Sequence, residues 1–232
     1  RLPVLGSNHW GVALSPDGQW LAAGVTSGRV NLWDWKERRL VRTTEIPFQW
    51  AGDLRFSRSG HYLFGRTVRN DRTGSVRIWR TNDWAIVPWV GTQPSNLYAV
   101  DLSPDDRLLA AGDIKGVVRL GGFSSGERET IIMRHNGPVY ALLFSPDGRV
   151  LASASLDGNA RLWHVVAGRE LLPPMRGHLW ASSAAFSPDG RRLATGGGGT
   201  EDAVKLWDVA TQREILTLEA EGETFFQVAF SP

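Results

Sequence analysis

Few side chains in this chain could do chemistry. The nearest approach to a reactive set is His135 with Asp157, followed downstream by the run Gly196-Gly197-Gly198-Gly199-Thr200. A His beside an Asp could serve as a catalytic dyad that moves a proton at a reacting group. A glycine run can cradle phosphate. This one lacks a following Lys-Ser or Lys-Thr and precedes a strand pattern, not a helix, so it reads as a flexible loop. The five His include no His-x-x-x-His pair, and no Asp-rich calcium loop occurs. Cysteine is absent, which removes disulfides and cysteine-based zinc sites but does not separate cytosol from exterior. No metal and no cofactor is implied. The recurring Ser-Pro-Asp-Gly stretches read as turns, with Pro fixing φ and Asp bonding nearby amides, and not as nucleophilic serines.

The elements that would position these residues are short. From His135 to Trp163 the chain alternates apolar runs with Asp147-Gly148 and Asp157-Gly158. Asp-Gly is a strong hairpin signal because its favoured turn needs positive φ. The runs are too short for typical helices, so an antiparallel meander is expected. The meander is copied along the chain. Its marker serines are Ser15, Ser57, Ser103, Ser145, Ser187 and Ser231, at spacings of 42, 46, 42, 42 and 44. A second marker, Trp33, Trp79, Trp163 and Trp207, keeps the same phase, with Gly121 where a further Trp would stand. Strands are expected at 10–14, 20–25, 29–34 and 39–45 in the first unit, and at 139–144, 149–155, 159–164 and 169–173 in the fourth. The expected fold class is all-β.

Composition is ordinary for a globular chain, with 42% hydrophobic and 22% charged residues. No run of 18 apolar residues suggests a membrane span. The net charge of +2 gives no whole-molecule footprint for nucleic acid. Residue 1 is Arg, and the native start is expected to be processed or missing.

A period of about 42–46 residues with four strands and a closing Leu32-Trp33-Asp34 or Leu206-Trp207-Asp208 resembles the WD-repeat β-propeller. Leu162-Trp163-His164 and Ile78-Trp79-Arg80 are degenerate copies, and Gly177-His178 is the single Gly-His element. The Pro-Asp-Gly turns resemble propellers of bacterial multidomain signalling proteins. The resemblance implies four-stranded antiparallel blades over residues 1–232, with repeats at about 7–48, 49–94, 95–136, 137–178 and 179–222 and the start of a sixth at 223–232. Residues 1–5 and 225–230 are expected to be orphan strands, part of a larger ring of six to eight blades, the alternative being a self-contained, strained or open five-bladed form. It also implies a hydrogen-bonded structural network of His135, Ser155 (or Ser153), Asp157 and Trp163. A second copy uses His178, Thr195, Asp202 and Trp207. The dyad is thereby read as structural. The first three units lack the His and are expected to pack through apolar contacts.

The resemblance further implies a protein-interaction scaffold that binds a partner peptide or domain on the top face, the end carrying the loops before the first strand and between the second and third. Five residues before the marker Ser stand Trp10, Tyr98, Tyr140 and Phe226, and seven before it Trp50 and Trp180. These aromatics are the candidate contacts. Arg66, Arg69 and Arg72, expected in the loop between the second and third strands of the second unit, are candidate selectors for an acidic or phosphorylated partner. Two other readings stand beside this one. The first is a regulatory propeller attached to a missing bacterial kinase or other signalling enzyme. The second is a propeller hydrolase or lyase, which would need convergent acids or His that no repeated position supplies.

Overall fold

The computed structural model describes residues 9–25, 29–45, 50–68, 74–88, 96–122, 130–198, 203–219 and 227–231. The expected strand at 1–5 lies outside them. No helix occurs among the described residues; the strands fall into five antiparallel sheets, the blades. Blade one is β1 (His9–Leu14), β2 (Trp20–Val25), β3 (Arg29–Asp34) and β4 (Arg39–Glu45). Blade two is β5 (Trp50–Phe56), β6 (Tyr62–Val68), β7 (Gly74–Arg80) and β8 (Ile86–Val87). Blade three is β9 (Leu97–Leu102), β10 (Leu108–Asp113), β11 (Val117–Gly122) and β12 (Thr130–Arg134). Blade four is β13 (Val139–Phe144), β14 (Val150–Ser155), β15 (Asn159–His164), β16 (Arg169–Glu170) and β17 (Met175–Arg176). Blade five is β18 (Trp180–Phe186), β19 (Arg192–Gly198), β20 (Ala203–Asp208) and β21 (Glu214–Glu219).

Each blade is a meander of neighbouring strands in sequence order. Blade four departs from the expected 169–173, because its outer strand is split into β16 and β17, both paired with β15. Pro173 and Pro174 lie between the two pieces and have no N–H to give the ladder. Residues 227–231, within the expected first strand of a sixth blade, form no ladder among the described residues. The Val228 N–H instead donates to Ser183 Oγ at 3.0 Å.

The marker serines explain why each meander turns where it does. Ser15, Ser57, Ser103, Ser145 and Ser187 are all buried. Each hydroxyl accepts the N–H five residues on, at 2.8 Å for Trp20 and 3.0 Å for Val150. In three turns it also donates to the Asp two residues on: Asp17, Asp147 and Asp189. That hydroxyl is the main reason each of these carboxyls titrates below its ordinary value. A buried, doubly bonded hydroxyl is a turn lock and not a nucleophile.

The turn closes on a residue of positive φ: Gly18, Gly60, Gly148 and Gly190, and Asp106 in blade three at φ 58°. Gly148 and Gly190 also lie against the Pro of the preceding turn; an added Cβ would stand 3.3 Å from Pro104 and from Pro146. Arg58 takes the Pro place in blade two. There Ser59 donates to the Asp106 carboxylate, so a polar contact replaces Pro against Gly.

Packing divides the chain into two compact units. The first is Arg1–Leu97, Asp105–Arg107 and Gly122–Arg128; the second is Tyr98–Pro104, Leu108–Gly121 and Glu129–Pro232. Within each, blades pack face to face. Directly paired residues share a face of a sheet, so each blade has a front and a back. In the first unit the back of blade one (Ala22, Val30, Leu32) meets the front of blade two (Leu54, Leu63, Trp79). In the second, Ala110, Val118 and Leu120 on the back of blade three meet Leu142, Phe144 and Trp163 on the front of blade four. The back of blade four (Ala152, Leu162, Met175) then meets Phe186, Leu193 and Trp207 of blade five. Small and β-branched residues on the back accept large ones on the front. Each fully buried Leu or Phe stabilises the seam by about 1.5–3 kcal/mol.

A second contact crosses these seams at the turn between the second and third strands. At Gly158 (φ +81°) an added Cβ would stand 2.4 Å from the His178 carbonyl oxygen. Both the conformation and the approach exclude a side chain. Gly158→Ala is therefore expected to destabilise the protein by more than about 1 kcal/mol. Urea unfolding would show this as a lower midpoint at unchanged slope.

Candidate functional site

The end of the second unit that carries His135 collects most of its candidate residues. His135 is buried, and its ring is bonded on both nitrogens. Nδ1 lies 3.1 and 3.2 Å from the two Asp157 carboxylate oxygens, and Nε2 lies 2.8 Å from Ser153 Oγ. The Trp163 indole N–H donates to the same Ser153 Oγ at 3.2 Å. One assignment satisfies every group: Nδ1–H donates to Asp157, Ser153 O–H donates to Nε2, and Ser153 Oγ accepts from Trp163. The ring is then neutral. Burial holds its pKa below the ordinary value of 6.5, and the Asp157 charge only partly opposes that. Burial works against the Asp157 carboxylate too, but the Asn136 N–H, His135 and the Asn159 N–H outweigh it, and its pKa is lowered.

The expected partner Ser155 is not the bridging hydroxyl. Ser153 is, because it faces Arg161 one step along the ladder from Leu151 and Trp163. Ser155 stands at the strand end, where it donates to the Gly137 carbonyl at 2.9 Å and accepts the Asp157 N–H at 3.1 Å. All four network groups are occupied by one another, which leaves no dyad poised toward a substrate.

Blade five repeats the motif. His178 Nε2 lies 2.8 Å from Thr195 Oγ1, which accepts the Trp207 indole N–H at 2.8 Å. Asp202 lies outside the described residues. Burial, aided by Lys205 and opposed by Glu214, lowers the His178 pKa to about 4.

Blades one and two lack the bridging hydroxyl. Ala23 and Gly65 hold the place of Ser153, facing Asn31 and Arg77 across the ladder. Trp33 Nε1 and Trp79 Nε1 are accordingly buried without a hydrogen-bond partner among the described residues. Trp79 is packed by apolar neighbours instead, and Trp33 is buried. Blade three uses a different polar tie. Asp113, in the Ser155 place, accepts Arg119 at 2.7 Å and the Lys115 and Val117 N–H groups at 2.9 Å each. This buried pair went unread in the sequence; an acid ending the second strand, followed six residues later by Arg, was its signal.

Two of the aromatic candidates, Trp10 and Tyr140, share a backbone feature that spacing alone did not disclose. The ladder of the first strand slips at Trp10 in blade one, at Tyr140 in blade four and at Ser182 in blade five. All three stand five residues before the marker Ser. A β-bulge leaves its extra residue unpaired and re-aims it. Tyr140 meets Tyr98 of blade three edge to face, centroids 5.2 Å apart at 77°, and both are half-buried.

Trp180 is half-buried, and its indole lies on Gly198, where an added Cβ would stand 2.2 Å from the ring. Gly196, Gly197 and Gly198 are buried in β19. The expectation of a flexible loop there is corrected: the glycines make room for Trp180. Around these rings stand exposed apolar tips: Ile114 at 37%, Leu156 at 43% and Leu179 at 65%.

Trp50 lies in β5, but its side chain, like that of Trp10, is outside the described set, as are Phe226, Arg69 and Arg72. Arg66 belongs to β6 and not to a loop. Its guanidinium donates to the Leu97 carbonyl at 3.1 Å and lies 3.5 Å from Asp53, so it serves contacts within the first unit. Among the described residues no group of His, Asp and Glu could hold a metal ion, and no helix is long and apolar enough to cross a membrane.

Antiparallel meanders stacked front to back within each unit are the blades of a β-propeller. Three stretches, residues 5–34, 126–164 and 169–208, match the family model of the WD domain, G-beta repeat. These three stretches are WD repeats. No curated protein matches it. WD repeats usually serve as non-catalytic scaffolds for protein interactions.

Both network histidines are held neutral, so stability depends on pH in one direction. Above pH 6.5 neither state binds the extra protons. Below it the unfolded chain takes them up, while folded His178 does not until about pH 4. Stability is expected to fall from pH 6.5 to about 4. The Asp157 carboxylate adds its loss only below its ordinary value of 3.8. Melting temperatures across this range should drop, and His178→Gln should flatten the slope. Ser153→Ala leaves the Trp163 N–H and the His135 Nε2 unpaired, and is expected to cost about 2–4 kcal/mol at pH 7 in urea unfolding.

Proposed function

We propose that this end of the second unit is a docking face for a segment of another protein, and that the chain acts as a non-catalytic interaction scaffold. The observation that carries the reading is Tyr140, set on a β-bulge and packed edge-on against Tyr98 of the next blade. Half-buried aromatics fixed on one side and open on the other supply contact area at small entropic cost. Ile114, Leu156 and Leu179 extend the apolar surface at the loop tips.

The charges at this end favour an acidic partner. Lys115, Arg134 and Arg176 are exposed there, whereas Asp113 and Asp157 are engaged internally. A segment with two or more large apolar residues flanked by Asp or Glu fits that pattern, and complementary charge would steer its approach.

A random peptide library displayed on phage and selected against the protein tests this. Peptides combining Leu, Ile or Phe with Asp or Glu are expected to be enriched. Tyr140→Ala and Leu179→Asp should each weaken a selected peptide at least about tenfold while the melting temperature changes little. No enrichment, or peptides indifferent to both substitutions, would overturn the reading.

A further inference from the structure

The side-chain carbonyl of an Asn or Asp can be attacked by the main-chain nitrogen of the next residue, closing a five-membered ring. The ring forms readily where that residue is Gly, which has no Cβ in the way. Five places in the chain have the arrangement: Asp17-Gly18, Asn136-Gly137, Asp147-Gly148, Asp157-Gly158 and Asp189-Gly190.

Four of the five are closed to this chemistry. The Gly18, Gly148, Gly158 and Gly190 N–H groups donate to the carbonyls of Ser15, Ser145, Ser155 and Ser187 at 2.8, 2.9, 3.1 and 2.8 Å, so the attacking nitrogen is engaged. The four Asp side chains accept hydrogen bonds that hold them as carboxylates, which are poor electrophiles. Asn136-Gly137 differs on both counts. Asn136 is exposed and its side-chain amide is bonded to nothing among the described residues. An amide is neutral and open to attack. The Gly137 N–H likewise donates to no acceptor among the described residues.

We propose that Asn136 is a site of spontaneous deamidation, and that the change loosens the loop that holds His135 to blade four. The Gly137 nitrogen gives its proton to solvent and bonds to the Asn136 side-chain carbonyl carbon, and ammonia leaves. Water then adds to one of the two ring carbonyls and breaks its bond to nitrogen. One water is consumed and one ammonia released. Opening at the side-chain carbonyl leaves an aspartate at position 136; opening at the main-chain carbonyl leaves an isoaspartate, with one extra carbon in the main chain. That carbon falls within a tightly tied stretch. The Asn136 N–H donates to Asp157 at 2.9 Å, the Gly137 carbonyl accepts the Ser155 hydroxyl at 2.9 Å, and the Pro138 carbonyl accepts the Leu156 N–H at 2.9 Å. A longer main chain cannot keep all three. Either product also sets a second negative charge beside Asp157, the carboxylate that His135 bonds. The reaction needs no partner, so it stands apart from the docking reading.

Peptide mapping by mass spectrometry of the whole chain, aged over weeks in neutral buffer with and without urea, tests the proposal. Each site is its own control. Position 136 is expected to gain aspartate and isoaspartate at nearly the same rate folded and unfolded, whereas isoaspartate at the four Asp-Gly turns should form several-fold more slowly in the folded protein. Aged protein should melt below fresh protein and below Asn136→Asp, which adds the charge without the longer main chain. Asn136→Gln, whose longer side chain closes only a slower six-membered ring, should keep its melting temperature on ageing. Position 136 reacting several-fold more slowly folded than unfolded would overturn the site. Aged protein that is converted at position 136 yet melts like fresh protein, or no lower than Asn136→Asp, would overturn the loosening.

Discussion

The second unit depends on how each network histidine is held. His135 donates its backbone N–H to the Gly116 carbonyl of blade three at 2.9 Å, and its ring bonds into blade four. Gly116 is so close that an added Cβ would stand 2.3 Å from the His135 carbonyl oxygen. One residue therefore belongs to two blades, by main chain to one and by side chain to the next. The His178 carbonyl oxygen likewise lies against Gly158, 2.4 Å from where a Cβ would stand, and its ring bonds Thr195. A hydrophobic seam alone would let flat sheets slide, because apolar contact has no direction. A charge-assisted, buried network fixes register where the seam cannot.

The same clamp shapes the candidate site. His135 and His178 precede the first strands whose opening residues carry Tyr140 and Trp180. Fixing the histidine fixes the start of the strand, and the bulge then decides where the aromatic residue goes. The site is thus a by-product of how blades are joined. The residue types that resemble catalysis are consumed in joining them, and the residues left facing outward are apolar and basic.

Much of this was legible in the sequence. The marker Ser and Trp gave the period, and the Asp-Gly turns gave strand ends that agree with β1 to β4 within a residue. Turn chemistry is local, so it survives translation into three dimensions. What was missed depends on partners distant in sequence. Ser153 and Ser155 are equivalent by type and spacing, and only the pairing of Ser153 opposite Arg161 puts its hydroxyl between His135 and Trp163. The glycine run looked like slack chain because the ring that fills its space, Trp180, lies a strand away. Bulges add a residue without changing composition, so Tyr140 could be located but not aimed.

The polar lock is unevenly shared, and this bears on how the molecule comes apart. In blades four and five the indole nitrogens of Trp163 and Trp207 end in hydroxyls. In blades one and two, Trp33 and Trp79 bury theirs with no acceptor among the described residues. Each such orphan forfeits roughly 1–3 kcal/mol that a bonded indole would keep. Opening a sheet returns that loss to water, so the first unit gains something by loosening that the second does not. Local unfolding follows such gradients. The blades that most resemble one another in outline are therefore graded in endurance, and thermal or proteolytic breakdown has a built-in place to begin.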